Sequence, residues 1–365
     1  MKNDTIAIVP SQDETAAAPA KLDVFQKFLS LWAMVAMAVG ILVGYFLPAI
    51  PEWLDKATVA QVSIPIAILL WGMILPMMLQ IDFGAVANVF MQPKAIVLTS
   101  LVNFAVQPFT MYGLSLLFFK VIFGSFLGPE KAGSYVVGTV LLGSAPCTAM
   151  VLVWSTLMNG NAAYTLAQVA VNDLILLVTY SPTVKLLAGS FSIPMPWTIL
   201  LSSVGGFVLI PLVLGVLIRT VLSHDKAWFS WLNTTLIPIL DSCSTVFLLA
   251  MVALLFVSQA STIKSNLVDI LVIAIPLALQ RVLSWAITYS FALWMHLPFD
   301  IAGPASLIAC SSFFEMAVAI SLALYGAKAG STLATVVGVL IEVPMMLMLV
   351  NVNNRTQHLF AKRID

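Results

Sequence analysis

The sequence predicts an all-α polytopic membrane protein of ten transmembrane helices, arranged as two inverted five-helix repeats with the fourth and ninth helices broken. Three observations predict it. The chain is apolar and poor in charge, several charge-free stretches are long enough to cross a bilayer, and short motifs recur in order at a nearly constant separation.

Of 365 residues, 61% are hydrophobic and 9% are charged, against roughly 25% charged in an ordinary soluble domain. One soluble core of this size does not hide that much apolar surface. Crossing a bilayer takes about 20 largely apolar residues; residues 28–51, 57–81 and 132–172 carry no charge at all. The net charge is zero, which points to no nucleic acid and no acidic partner. Three cysteines, Cys147, Cys243 and Cys310, all sit in apolar segments, which argues against an extracellular disulfide framework. Residues 1–27 are polar and mixed in charge and read as a disordered cytoplasmic tail rather than a cleaved signal peptide.

The ten spans fall at 28–48, 62–80, 95–119, 134–158, 163–184, 198–222, 235–259, 267–295, 302–325 and 331–350, divided by Gly and Pro punctuation such as Pro48–Pro51, Asn159–Asn161 and Pro194–Pro196. They form one transporter domain over 28–350 (repeat one 28–188, repeat two 198–350), followed by a cytoplasmic tail over 351–365. With both termini inside, cytoplasmic segments hold Lys2, Lys21, Lys27, Lys94, Arg219, Lys226, Arg355, Lys362 and Arg363. The outside holds Lys56, Lys120, Lys131, Lys185, Lys264 and Lys328. That excess of basic residues sets the orientation.

The repeat is read from pairs of motifs. Ile64-Pro65-Ile66 returns as Ile237-Pro238-Ile239 and Gln107 as Gln280; Gly40 pairs with Gly215, Thr165-Leu166-Ala167 with Thr332-Leu333-Ala334, and Gly160 with Gly326. Because five is odd, the second copy enters the membrane from the opposite side, a common plan among secondary transporters.

Ionisable residues inside spans are costly and face a cavity or a partner. Here they are Asp173, Asp241, Arg281, Glu315 and Glu342, accompanied by the amides Asn103, Gln107, Asn172 and Gln280. For Arg281, Asp241 and Glu342 the simpler reading is helix-to-helix glue, with Arg281 held by one of the carboxylates. The fourth span carries Pro146 in mid-course, after Gly143 and Ser144; the ninth carries Ser311 and Ser312 before Phe313, Phe314 and Glu315. A proline removes a donor and clashes with the preceding turn. Opened backbone at membrane depth is tolerated only where it lines a cavity, and such transporters place their passenger there.

Cys147 follows the first break, expected at the start of a half-helix whose free N–H groups suit a thiolate. A sulfur ligand there selects a soft, thiophilic passenger. Cys243 and Cys310 read as small buried hydrophobes. A three-sulfur cage is disfavoured, because a carrier must release its cargo.

At these residues the chain resembles a known family. "GSAPCTAMVLVW" running into "GNAAYTLAQVAVNDLI", and "SSFFEMAVAISLALYG" followed by "STLATVVGVLIEVPMMLMLV", are similar to the arsenical-resistance permeases of the bile acid/arsenite/riboflavin transporter superfamily; "IPIAILLWGMILPMMLQIDF" and "QPFTMY" extend the likeness. The resemblance implies ten helices, inverted repeats and a crossing of the broken fourth and ninth helices. It implies export of trivalent arsenite, with antimonite a second cargo, Cys147 as the arsenic(III) thiolate ligand and Glu315 as the essential membrane glutamate. Gln107 stands where the family more often carries a basic residue, and Ser312 where it carries asparagine.

The expected mechanism is alternating access with proton exchange at Glu315. Pro146, Ser144, Ser311 and Ser312 help hold the passenger, and Asn103, Gln107, Asn172, Asp173, Cys310 and Glu342 are secondary candidates. No cofactor and no catalytic group is expected. The expected partners are the metalloid, protons and lipid, in a bacterial inner membrane. The first alternative is a sodium-coupled importer of organic anions. The second is an intramembrane enzyme working through Asp173, Asp241 or Glu315, against which stands the absence of an HExxH motif or a nucleophile elbow.

Overall fold

A computed structural model describes residues 28–59, 62–80, 93–148, 150–189, 197–223 and 225–360. The 1–27 tail, the last five residues of the C-terminal tail and the side chain of Asp241 lie outside what is described. Apart from a two-residue antiparallel ribbon, Thr58–Val59 with Val62–Ser63, the described secondary structure is helical.

In chain order the helices are α1 (Leu29–Phe46), α2 (Ala49–Lys56), α3 (Ile64–Gln80), α4 (Pro93–Ile122), α5 (Gly124–Gly143), α6 (Val151–Leu157), α7 (Ala162–Ala188), α8 (197–223), α9 (226–265), α10 (Leu267–Trp294), α11 (Phe299–Ile308), α12 (Phe314–Tyr325) and α13 (Gly330–Thr356). Among the described residues seven helices are long and apolar enough to cross a membrane: α1, α4, α7, α8, α9, α10 and α13. The chain is therefore a multi-pass membrane protein. The other three expected spans take different forms. The helix α3 is 17 residues long, and the fourth and ninth spans are each interrupted, giving α5 with α6 and α11 with α12.

Lipid as solvent explains the helix faces. On α1, Ala33, Met37, Gly40 and Gly44 are buried, while Leu31, Val35, Val39 and Leu42 are exposed although apolar. A soluble helix would carry polar residues there. Small residues let the backbones approach where the helices meet. A Cβ at Gly40 would run into the Ala253 carbonyl of α9, one at Gly215 of α8 into Met78 of α3, and one at Gly138 of α5 into the Ser331 carbonyl and Ala334 of α13. The contacts divide the helices into two groups. The helices α1, α3, α8 and α9 pack on one another, as do α4, α5, α7 and α10 to α13.

Several boundaries differ from the sequence reading. The long helix of the fourth expected span begins at Pro129 rather than 134, after a short helical turn from Gly124 that a kink at Gly128 (φ 73°) sets off. A residue before proline is pushed out of the helical region, and glycine alone takes this conformation without strain. The tenth span continues as α13 to Thr356, into the stretch read as tail. Wider π-helical turns interrupt α4 at Val102–Val106 and Leu116–Ile122, α8 at Gly205–Leu209 and α9 at Leu232–Leu236. Hydropathy does not distinguish these from α-helix, so they are not legible in the sequence.

The glycine contacts yield a test. Gly138→Ala is expected to destabilise the detergent-solubilised protein by about 1–3 kcal/mol, the usual cost of overpacking. Gly113→Ala, where a Cβ would meet nothing within 4 Å, is expected to leave thermal unfolding unchanged or slightly raised.

Candidate functional site

Two interruptions form the site. The helix α5 ends at Gly143, and residues 144–148 and 150 are non-helical ahead of α6, which begins at Val151. Pro146 has no N–H to return to the preceding turn, so the ladder stops there. In the ninth span α11 ends at Ile308, residues 309–313 are open, and α12 begins at Phe314. No proline stands in this second gap. Instead the Ser311 hydroxyl donates to the Ile308 carbonyl (3.1 Å) and the Cys310 thiol to the Leu307 carbonyl (3.4 Å). Such local side-chain bonds compete with helix continuation.

The two gaps touch. Phe313 N–H donates to the Ala145 carbonyl at 2.7 Å. Cys147 and Glu315 each lie two residues from that bond, and both are fully buried. The expected juxtaposition of the Cys147 and Glu315 segments is therefore present. Pro146 and Ser144 fall in the first gap and Ser311 and Ser312 in the second. One expectation is corrected. Cys147 lies inside the gap, with α6 starting only at Val151, so it does not occupy the first turn of a half-helix. Glu315 does occupy such a turn, at the start of α12.

The open backbone of the second gap is met almost entirely by protein. Arg281 of α10 donates through Nη1 to the Cys310 carbonyl (3.1 Å), and Gln107 of α4 donates through Nε2 to the Ser311 carbonyl (3.1 Å). Ser312 N–H donates to Glu342 Oε1 of α13 (3.1 Å). Arg281 Nη2 in turn donates to Glu342 Oε2 (3.1 Å) and to the Gly338 carbonyl (3.3 Å). Arg281 and Glu342 are 1% and 0% exposed. Glu342, a secondary passenger candidate, is thus committed to Arg281 and the gap, as the simpler sequence reading had it. Cys310, another, turns its sulfur to Leu307 and to Met346 Sδ (3.7 Å).

What remains unmet is side chain. Among the described residues, the hydroxyls of Ser144 and Ser312 have no hydrogen-bond partner, and no other residue donates to either Glu315 carboxyl oxygen. All three side chains are buried. A buried polar group without a partner costs free energy unless something supplies one. Cys243 is exposed on α9, apart from the two buried cysteines, so a three-sulfur cage has no basis.

The amide candidates form a neighbouring cluster. Asn103 Nδ2 and Gln168 Nε2 both donate to Asn172 Oδ1 (3.2 and 2.9 Å), and Gln168 Nε2 also reaches Ser100 (3.1 Å). Asp173 is buried beside them with Oδ2 unmet. Asn103 sits in the first π turn of α4, one turn before Gln107. Sequence reasoning missed Gln168, although its spacing of four from Asn172 on one helix face was a usable signal. It also missed Ala145, whose carbonyl matters and whose side chain carries no signal. Asp241 cannot be placed, its side chain lying outside the described residues.

A separate cavity of about 560 Å³ lies between the two helix groups, lined by Leu54, Ser63, Ile66 and Ser258 on one side and by residues 322–328 at the far end of α12 on the other.

Comparison with known proteins places this geometry. The sodium bile acid symporter family matches residues 67–266. Arsenical-resistance protein Acr3 of Alkaliphilus metalliredigens is 44% identical over 338 residues, 93% of this chain and 94% of that protein. An uncharacterized transporter of Synechocystis is 39% identical over 355 residues (94% and 92%), and the Acr3 protein of Corynebacterium glutamicum is 26% identical over 347 residues (92% and 90%). The interrupted segments, the buried polar crossing and these likenesses together give one conclusion: the chain belongs to the sodium bile acid symporter family and, within it, to the arsenical-resistance permeases.

Proposed function

We propose that the chain is a secondary transporter that exports trivalent arsenite from the cytoplasm, with antimonite as a second cargo, in exchange for protons. The observation that carries this reading is the bond from Phe313 N–H to the Ala145 carbonyl, which joins the Cys147 and Glu315 segments at a buried crossing. The relatives named for arsenical resistance support the cargo.

Arsenous acid is uncharged near neutral pH, so its entry needs no buried counter-charge. The Cys147 thiol displaces one hydroxyl from arsenic as water, leaving one As–S bond and two As–OH groups. Hydration reverses the step on release. The Ser144 and Ser312 hydroxyls, without a partner among the described residues, hydrogen-bond the arsenic hydroxyls. Glu315 carries the exchanged proton. A single sulfur bond suits turnover, since three would hold the cargo too firmly to release it.

Alternating access follows from ten crossings in two inverted repeats, a plan in which one helix group moves against the other around a fixed site. Several features support the repeat. The tripeptides at Ile64 and Ile237 both open α-helical stretches, Ile64–Gln80 and Ile237–Ser265. Gly40 of α1 packs on α9, while its counterpart Gly215 of α8 packs on α3. The first two helices of each half form one group and the last three of each half the other. The cavity between the groups, at the end of α12 remote from Glu315, supports a path to one face of the membrane. The bias of Lys and Arg supports an inner-membrane protein with cytoplasmic termini around a single transporter domain over 28–350.

Arsenite accumulation in everted vesicles tests the cysteine. Cys147→Ser is expected to lower it by roughly the 10- to 100-fold that follows loss of an essential site contact, whereas Cys243→Ser keeps most of it. Undiminished transport by Cys147→Ser removes the assigned role. Glu315→Gln is expected to abolish the response of arsenite flux to an imposed pH gradient; a retained response places the coupling elsewhere. The family's name favours a second reading, sodium-driven import of an organic anion. Sodium-stimulated bile acid uptake, with no arsenite flux, is the result that would establish it.

A further inference from the structure

Three acceptors converge on one side chain: the Cys310 carbonyl of the second gap and, from α13, the Gly338 carbonyl and the Glu342 carboxylate. Carbonyls freed where a helix unwinds are ligands that transporters with broken helices offer to a sodium ion, and the carboxylate beside Cys310 adds a negatively charged oxygen. Here these acceptors are met by the guanidinium of Arg281, reaching across from α10 with Nη1 at 3.1 Å from Cys310 O and Nη2 at 3.3 Å from Gly338 O and 3.1 Å from Glu342 Oε2. Arginine keeps its charge at every physiological pH. Glu342 and Arg281 therefore neutralise each other in a site that is buried from all sides. A sodium ion added there would leave an uncompensated buried charge, which the low dielectric penalises heavily.

We propose that Arg281 is a tethered cation that permanently fills this acceptor nest, and that transport by this chain is consequently independent of sodium. The site is thus a cation site by its ligands and a closed one by its occupant. Three features follow. The cation is fixed to α10 and cannot leave, so it holds the gap in shape without contributing to coupling. Coupling is left to Glu315, whose carboxyl oxygens accept no hydrogen bond from any other described residue. The family's named sodium dependence is replaced within the chain by an arginine.

The test restores a cation after removing the tethered one. Arg281→Ala deletes the side chain beyond Cβ, and N-ethylguanidinium matches the deleted atoms. The purified variant in detergent is expected to unfold at a lower temperature than the wild type. Millimolar N-ethylguanidinium or sodium should raise that temperature in the variant but not in the wild type. In vesicles, wild-type arsenite flux is expected to be the same in sodium and choline buffers. Arg281→Ala should lose roughly tenfold or more, as expected when one partner of a buried pair is removed, and should regain flux with N-ethylguanidinium or sodium. Arg281→Lys, which keeps a cation in the nest, should transport several-fold faster than Arg281→Ala.

A sodium requirement in the wild type overturns the proposal. So does full flux by Arg281→Ala without either cation, or a folded Arg281→Ala that neither cation stabilises or restores. If Arg281→Ala does not accumulate, Arg281→Lys decides, and a folded lysine variant without flux also overturns it. The flux arm rests on the arsenite reading, and the thermal arm does not. Wild-type protein that moves no arsenite therefore counts against that reading, while the thermal result still decides this one.

Discussion

A helix that opens inside a bilayer must find partners for the N–H and C=O groups it releases, because hydrocarbon offers none. Each group left alone costs several kcal/mol. In this chain two openings meet that requirement partly through each other, by the bond from Phe313 N–H to the Ala145 carbonyl. In the second opening further groups are met by Gln107, Arg281 and Glu342, drawn from α4, α10 and α13. The Arg281–Glu342 pair is the centre of this arrangement. Removing one member of a buried pair costs about 3–5 kcal/mol, whereas replacing both with apolar groups is often neutral. Burying a charge pair rarely adds stability for its own sake, and here it serves to fix an otherwise unsupportable backbone.

Because protein side chains satisfy the backbone of the second gap, that backbone is not available to a passenger. The buried groups at the two gaps without a hydrogen-bond partner among the described residues include the Ser144 and Ser312 hydroxyls and the Glu315 carboxyl, and Cys147 lies two residues from the joining bond. Those groups are chemically unlike one another: a soft nucleophile, two small neutral hydrogen-bonders and one ionisable acid. The proposed cargo, small, uncharged, hydroxylated and thiophilic, would use all of them. The division of labour also separates rigidity from turnover. The acceptors around Arg281 are filled by its guanidinium, while the Ser144 and Ser312 hydroxyls and the Glu315 carboxyl have no hydrogen-bond partner among the described residues.

Much of this was legible in the sequence, for identifiable reasons. Pro146 behind Gly143 and Ser144 marked the first gap, although Pro182, Pro276 and Pro344 sit inside continuous helices, and Ser311-Ser312 ahead of Glu315 marked the second gap without a proline. The repeated Ile-Pro-Ile marked two helix starts, Ile64 and Ile237. What was not legible depends on distance and on backbone. Arg281 was expected to pair with a carboxylate, but nothing in a linear chain selects Glu342, 61 residues away on another helix, over Asp173 or Asp241. The length of the first gap was likewise hidden. Pro146 shows where a ladder breaks but not where it resumes, which moved Cys147 from a helix start into open chain. The π turns in α4 around Asn103 leave no trace in hydropathy, because widening a turn by one residue changes no composition.

The central claim is that a single sulfur, that of Cys147, meets the arsenic atom at the crossing of the two interrupted segments. X-ray absorption at the arsenic edge, on purified protein loaded with arsenite, counts the neighbours of that atom directly. One sulfur and two oxygens are expected in the wild type, and oxygen alone in Cys147→Ser. Three sulfur neighbours, or the same spectrum from both proteins, would contradict it.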